Sequence, residues 1–198
     1  MPRVSRAEAQ QHRQQVIDHT SRLIREKGAD QVSVPQAMAA AGLTHGGFYR
    51  HFTSKDDLIV QALQAAFTER REAMDRLAEA DSSDRAAPSD RSGRVEFLAR
   101  YLSDLHRDNP GGGCAAAALA ADAIRAEPGA PIRKAFTEGL RDLVDGFQQL
   151  GGDADARGTA LAELSTLVGA ILLARASDDP DLSHEILTAA RQHLNAPA

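Results

Sequence analysis

Residues 43–58 read Leu43-Thr44-His45-Gly46-Gly47-Phe48-Tyr49-Arg50-His51-Phe52-Thr53-Ser54-Lys55-Asp56-Asp57-Leu58. Small polar residues and two glycines come first, then an aromatic-rich run, then a Ser-Lys pair of the kind that starts a helix. A helix start with little side-chain bulk lets its backbone approach another surface closely. Hydroxyl, imidazole and ammonium groups around it suit the phosphates of a polyanion. No activated nucleophile with its base stands among them, so the stretch suits a catalytic pocket poorly.

The sequence on either side makes this stretch the second half of a helix-turn-helix. Upstream, Ser33-Val34-Pro35-Gln36 reads as a helix start. Ser33 is the N-cap, Gln36 its capping-box partner, and Pro35 lies in the first turn, where its missing N–H does no harm. That helix ends near Ala40, and Ala41-Gly42-Leu43 is a tight turn with Gly42 free to take a positive φ. Thr44 caps a third helix, about His45 to His51. Ser54 caps a fourth, extending to about Glu79, with Asp56 and Asp57 placed where the helix dipole favours anions. Val16, Ile17, Thr20, Leu23 and Ile24 recur at helical spacing in a first helix from Arg6 to Lys27, stopped by Gly28. Two short helices joined by a glycine-containing turn put the second into the major groove, about 12 Å wide. Thr44 and His45 then reach base edges or phosphates, Gly46 and Gly47 let the backbone approach, Tyr49 and His51 offer polar tips, and Lys55 adds a cation at a helix start. Phe48 and Phe52 face inward as anchors.

The rest of the chain also reads as helices, so the fold class is all-α, with no convincing strand and no internal repeat. Asp81 to Gly93 is polar with Pro88 and reads as a loop. Arg94 to Asp108 reads as one helix with Phe97, Tyr101, Leu102 and Leu105 on one face, and Asn109-Pro110-Gly111-Gly112-Gly113 breaks it. An Ala-rich helix follows from Cys114 to Ala126. Pro131 starts another, carrying Ile132, Phe136, Leu140, Leu143 and Phe147. After a break at Gly151-Gly152-Asp153, two last helices run from about Asp155 to Ala176 and from Asp181 to Leu194.

Composition narrows the function. The net charge is −5, yet residues 1–60 hold eight Lys and Arg against six Asp and Glu, which leaves +2 there and −7 in the remainder. A mildly basic head on an acidic body fits local contact with phosphate. Four of the seven histidines lie in that head. No stretch approaches the roughly 20 apolar residues of a membrane span, and no apolar signal region follows Met1, so a cytoplasmic location is expected. Cys114 is the only cysteine, which excludes an intrachain disulfide. His45 and His51, six apart, fall on different faces, so neither a metal site nor a cofactor is expected. Gly111-Gly112-Gly113 has neither a preceding strand nor a following Lys-Ser/Thr, so it is no phosphate loop. An enzyme is not expected.

Residues Arg13 to Leu63 resemble the N-terminal DNA-binding domain of the TetR family of transcriptional regulators. The matching pieces are Leu23-Ile24-Arg25-Glu26-Lys27-Gly28, Ser33-Val34, Met38-Ala39-Ala40-Ala41-Gly42-Leu43, Gly46, Phe48-Tyr49-Arg50-His51-Phe52 and Ser54-Lys55-Asp56-Asp57-Leu58. The resemblance implies an all-helical homodimer that represses transcription and leaves its double-stranded operator when a small-molecule effector binds the C-terminal part. It divides the chain into a DNA-binding domain, 1–53, and a ligand-binding and dimerisation domain, 54–198. Carried onto this sequence, its DNA contacts fall at Ser33, Thr44, His45, Gly46, Gly47, Tyr49, Arg50, His51 and Lys55. Family members often carry a hydroxyl or larger residue where Gly47 stands. Readout is therefore expected to rest more on Thr44 and His45, or on DNA shape.

In the C-terminal part, Phe97, Tyr101, Phe136, Leu140, Leu143 and Phe147 either line an effector pocket or are simply core. Leu161, Leu164, Val168 and Leu172 make one helical stripe, and Ile186, Ala189, Ala190 and His193 another. Such stripes fit a four-helix dimer interface, with packing inside one protomer as the alternative. Cys114 opens a helix after three glycines, a position that favours a thiolate. It is either a sensor of oxidants or electrophiles, and part of the effector site, or a small inert thiol. A helical interaction protein that does not bind DNA is the remaining class.

Overall fold

The computed structural model describes residues 6–83, 93–151 and 157–195, and among these the chain forms helices and no strand. In order they are α1 (Arg6–Lys27), α2 (Val34–Ala40), a 3-10 segment (His45–Arg50), α3 (Lys55–Ser83), α4 (Gly93–Tyr101), α5 (Asp104–Asp108), a second 3-10 turn (Pro110–Gly112), α6 (Ala115–Arg125), α7 (Pro131–Gly151), α8 (Arg157–Ala176) and α9 (Pro180–Asn195). The all-helical fold class expected from the sequence is what the chain adopts.

The local signals act as expected in the head. Ser33 Oγ accepts from the Gln36 N–H while the Ser33 N–H is held by Gln36 Oε1 at 2.9 Å, a complete capping box. Gly28 and Gly42 take φ of +88° and +71°, which terminate α1 and turn α2 toward the 3-10 segment. Ser54 Oγ accepts from the Asp57 N–H at 3.0 Å and starts α3. α3 is 29 residues long. It packs on α1 in the head and on α7, α4 and α6 further along, so one rod joins the two parts of the molecule. The α3–α7 seam is close: a Cβ placed on Gly139 would lie 2.2 Å from the Phe67 ring.

Four expectations change. The single helix expected from Arg94 to Asp108 is two, because Ser103 accepts from the His106 N–H and starts α5, and His106 Nδ1 lies 2.6 Å from the Tyr101 carbonyl. In a straight helix that carbonyl would serve the Leu105 N–H. Leu105 consequently leaves the expected apolar face and is 79 % exposed. The expectation that no stretch approaches a membrane span is also corrected. α8 has the length and apolar composition of one, with a third of its most apolar window buried in the protomer. α9 begins at Pro180, one residue before the expected Asp181, while the expected start of the preceding helix at Asp155 lies outside the described residues. The loop expected at 81–93 is helical through Ser83 and again from Gly93. Its residues 84–92, like residues 152–156 of the second break, lie outside the described residues.

Candidate nucleic-acid interface

The 3-10 segment His45–Arg50 stands on two aromatic anchors. Phe48 and Phe52 are 1 % and 2 % exposed, and their rings stack with centroids 5.5 Å apart. Above them Thr44, His45, Gly46, Tyr49 and Arg50 face solvent, and Gly47 and His51 are half-buried. Tyr49 is 78 % exposed, and its ring meets the edge of Phe48 at 5.1 Å. This division into buried anchors and outward polar groups follows from the sequence order, since Phe48 and Phe52 stand four positions apart, about one helical turn, with Tyr49, Arg50 and His51 between them.

The helix type differs from expectation. Six residues form a tight 3-10 segment rather than an α-helix. Gly46 and Gly47 together are the local cause, since each disfavours an α-helical backbone by about 1 kcal/mol. Thr44 holds the extended N-cap backbone but makes no side-chain capping bond, which leaves its hydroxyl for another partner. A Cβ on Gly46 would meet nothing within 4 Å, and one on Gly47 only the tip of Met38 at 3.7 Å. Neither glycine is demanded by packing within the protomer.

Two further expected residues carry structural duties. Ser33 is exposed, and its hydroxyl caps α2. Lys55 Nζ donates to the Asp30 carbonyl at 3.1 Å, which pins it beside the start of α3. His51 is held below its ordinary pKa by burial first, then by His12, Arg13 and Arg50, all of which favour the neutral ring. Arg13 was not singled out in the sequence. Its guanidinium donates to the His51 carbonyl at 3.2 Å, also bonds Gln61, and sits 5.3 Å over the Phe52 ring. Thirty-eight positions separate Arg13 from His51, so no local pattern marks it.

The C-terminal candidates divide. Phe97, Tyr101 and Phe147 are all buried, with Phe97 5.6 Å from Tyr101 and 5.7 Å from Phe147 by ring centroids. Phe136 meets Phe67 edge-on at 5.7 Å, and Leu140 is half-buried against the same core. Cys114 is 1 % exposed, and its N–H donates to His106 Nε2 at 3.1 Å. A cleft of about 730 Å³ instead lies between α4, α8 and α9, lined by Arg94, Glu163, Thr166 and His193 among others. On α8 and α9, Leu161 and Leu172 are exposed, Val168, Ile186 and Ala190 half-buried, and Leu164 is buried within the protomer. Leu173 and Leu182, 58 % and 47 % exposed, are further apolar side chains that the same two helices present to solvent, outside the expected stripes.

Comparisons with known proteins agree with this geometry. Residues 16–62 match the model for bacterial regulatory proteins of the tetR family. The HTH-type transcriptional regulator AcrR of Shigella flexneri is 40 % identical over 58 residues, covering 29 % of this chain and 27 % of that protein. The chain thus matches about a quarter of that relative's length. The reduced form of NemR from E. coli superposes with a TM-score of 0.72 at 20 % identity, over 93 % of this chain and 95 % of that one. A TetR transcriptional regulator from Chloroflexus aurantiacus gives 0.71 at 22 % identity, over 95 % and 96 %. At these identities the structural likeness speaks to the fold alone, which it extends across both parts of the chain.

Proposed function

We propose that this chain, whose residues 16–62 match the model for bacterial regulatory proteins of the tetR family, is a homodimeric, non-enzymatic repressor of that family which a small molecule releases from its operator. The observation that carries this reading is the exposed polar crown of residues 44–50 on buried Phe48 and Phe52. Thr44, His45 and the backbone at Gly46 and Gly47 meet the bases. Ser33, Tyr49, Arg50, His51 and Lys55 hold the phosphates and fix the register. Domain 1–53 reads the DNA, and α3 carries its position into 54–198.

Two copies joined through α8 and α9, with Leu161, Val168, Leu172, Ile186 and Ala190 at the seam, place two heads on successive major grooves about 34 Å apart. An effector that prefers a conformer with a different spacing shifts the population off DNA. Phe97, Tyr101, Phe136, Leu140 and Phe147 fill the body, so an effector seated among them has to open the core. A second reading makes Cys114 the sensing thiol, favoured by its place at the start of α6 and beside the buried Tyr101. Its burial means a reagent reaches it only through local opening.

Fluorescence anisotropy with a duplex from the region upstream of the chain's own gene tests the main reading. Tight binding that weakens steeply with salt is expected. Absence of sequence-specific binding would remove it, and leave a helical interaction protein. Diamide treatment beside a Cys114→Ser variant tests the second reading. DNA affinity unchanged by diamide eliminates it.

A further inference from the structure

One peptide group is held from both ends of the molecule. The carbonyl of the Gly113–Cys114 peptide accepts from Arg25 Nη1 of α1 at 2.9 Å, and the N–H of the same peptide donates to His106 Nε2 at 3.1 Å. Behind His106, Arg175 of α8 donates to the His106 carbonyl at 2.6 Å and to the Arg107 carbonyl at 3.0 Å. Arg25 also pairs with Glu69 of α3 at 2.8 Å, and its side chain is 2 % exposed. The space is closed: a Cβ on Gly113 would lie 2.7 Å from Arg175 Nη2 and 3.0 Å from His106 Nε2. At the other end of α6, buried Asp122 accepts from the Ala29 N–H at 3.0 Å, just past the end of α1. α6 is thus fastened to the end of α1 at both of its own ends.

We propose that the Gly113–Cys114 peptide is the joint through which the state of the body reaches the DNA-binding head, with Arg25 and His106 as its positioning residues. The proposal rests on the DNA-binding reading above. A peptide is planar and turns as one piece. If α8 shifts, Arg175 drags the His106 segment, the peptide tilts, and the bond to Arg25 is lost in the same movement. Arg25 then has only Glu69 and its own helix to hold, and α1 is free to reorient on α3. Guanidinium bonds to buried carbonyls are of the stronger kind, so the joint favours two discrete arrangements over a graded one.

The buried thiol at this peptide supplies the test, because labelling of Cys114 by 5,5′-dithiobis(2-nitrobenzoic acid) reads how often the joint opens. Coupling is reciprocal, so operator DNA at the head closes the joint as surely as the joint sets the head. In the full-length dimer, saturating operator duplex is expected to slow Cys114 labelling by about fivefold or more. In Arg25→Lys, which replaces the planar fork that reaches Ser21, Gly113 and Glu69 from three nitrogens with a single nitrogen, the DNA effect should shrink to less than twofold. A second reporter, Ala160→Cys in a Cys114→Ser background, sits buried on α8 away from the joint and should respond little to DNA. Equal slowing at both thiols would mean that DNA stabilises the whole chain, and would overturn the joint. So would an unchanged Cys114 rate with DNA demonstrably bound, or a full DNA effect in Arg25→Lys. If anisotropy shows no DNA binding at all, the DNA-binding reading fails first and the joint with it.

Discussion

His106 is the residue whose chemistry the fold constrains most tightly. A carbonyl only accepts, so the 2.6 Å contact of Nδ1 with the Tyr101 oxygen places the ring hydrogen on Nδ1. Nε2 is left as the acceptor for the Cys114 N–H. Protonating Nε2 would set two donors against each other. Burial accordingly brings the His106 pKa down to about 4, the Tyr101 bond working against it and the charges of Arg70 and Arg175 adding to the fall. The folded pKa is depressed, so the stability in question is present above about 6.5 and is lost as the pH falls through the interval to about 4. Each pKa unit is worth about 1.4 kcal/mol, so the total loss is of the order of 3 kcal/mol. Urea unfolding at fixed protein concentration, at pH 7 and pH 4.5, should show most of that loss in the wild type and much less in His106→Gln. Equal losses in both would place the titration elsewhere. His51 carries the opposite sign in complex with DNA. Burial and three cationic or titrating neighbours lower its pKa in the free protein, whereas a phosphate beside it would raise the value. DNA binding would then take up a proton, and affinity should increase from pH 8 to pH 6 in the wild type but not in His51→Gln, measured by anisotropy at constant salt.

At the scale of the element, what could be read from the sequence was whatever is decided within a turn or two of chain. The Ser33–Gln36 box, the Ser54 cap and the positive-φ glycines at 28 and 42 are local devices, and each sets a helix end where expected. The exposed crown around residues 44–50 was legible for the same reason, since the inward Phe48 and Phe52 are one turn apart with polar groups before and between them. The break between α4 and α5 has local causes, the Ser103 cap and the His106 ring on the Tyr101 carbonyl, that the apolar spacing of 94–108 masks, and a non-local one in Arg175, which takes two carbonyls from almost 70 positions away. The same limit hid Arg13, whose role exists only once α1 crosses the 3-10 segment. Helix contacts of this non-local kind give a sharp prediction at Gly139. A methyl group there would overlap the Phe67 ring, and forcing bulk into a packed seam costs about 1–3 kcal/mol. Gly139→Ala should therefore lower the urea midpoint clearly. Gly47→Ala, where there is room, should leave it unchanged or slightly raised while weakening DNA binding. A stable Gly139→Ala protein would show that α3 and α7 can separate at little cost.

Across the whole molecule, the head and the apolar α8–α9 face lie on different parts of one protomer, and the proposed repressor uses both. A single short 3-10 segment with two glycines offers little side-chain readout. Two heads on one duplex gain from effective concentration, which adds about 10²–10⁴ in affinity when geometry lets both engage. The exposed face is the element that would supply the geometry, with Leu161, Leu172, Leu173 and Leu182 each 45–58 % accessible in the protomer. Because Leu173 is largely exposed, Leu173→Glu should cost the isolated protomer little stability while setting two carboxylates into an apolar seam. Sedimentation velocity should then show monomers at concentrations where the wild type is dimeric, with an unchanged helical circular-dichroism spectrum. Affinity for a two-half-site duplex should fall by about a hundredfold or more, whereas affinity for a half-site should stay within a factor of a few. A Leu173→Glu protein that remained dimeric would move the interface off this part of α8. One that became monomeric and kept full affinity for the two-half-site duplex would show that the head reads its operator without a partner.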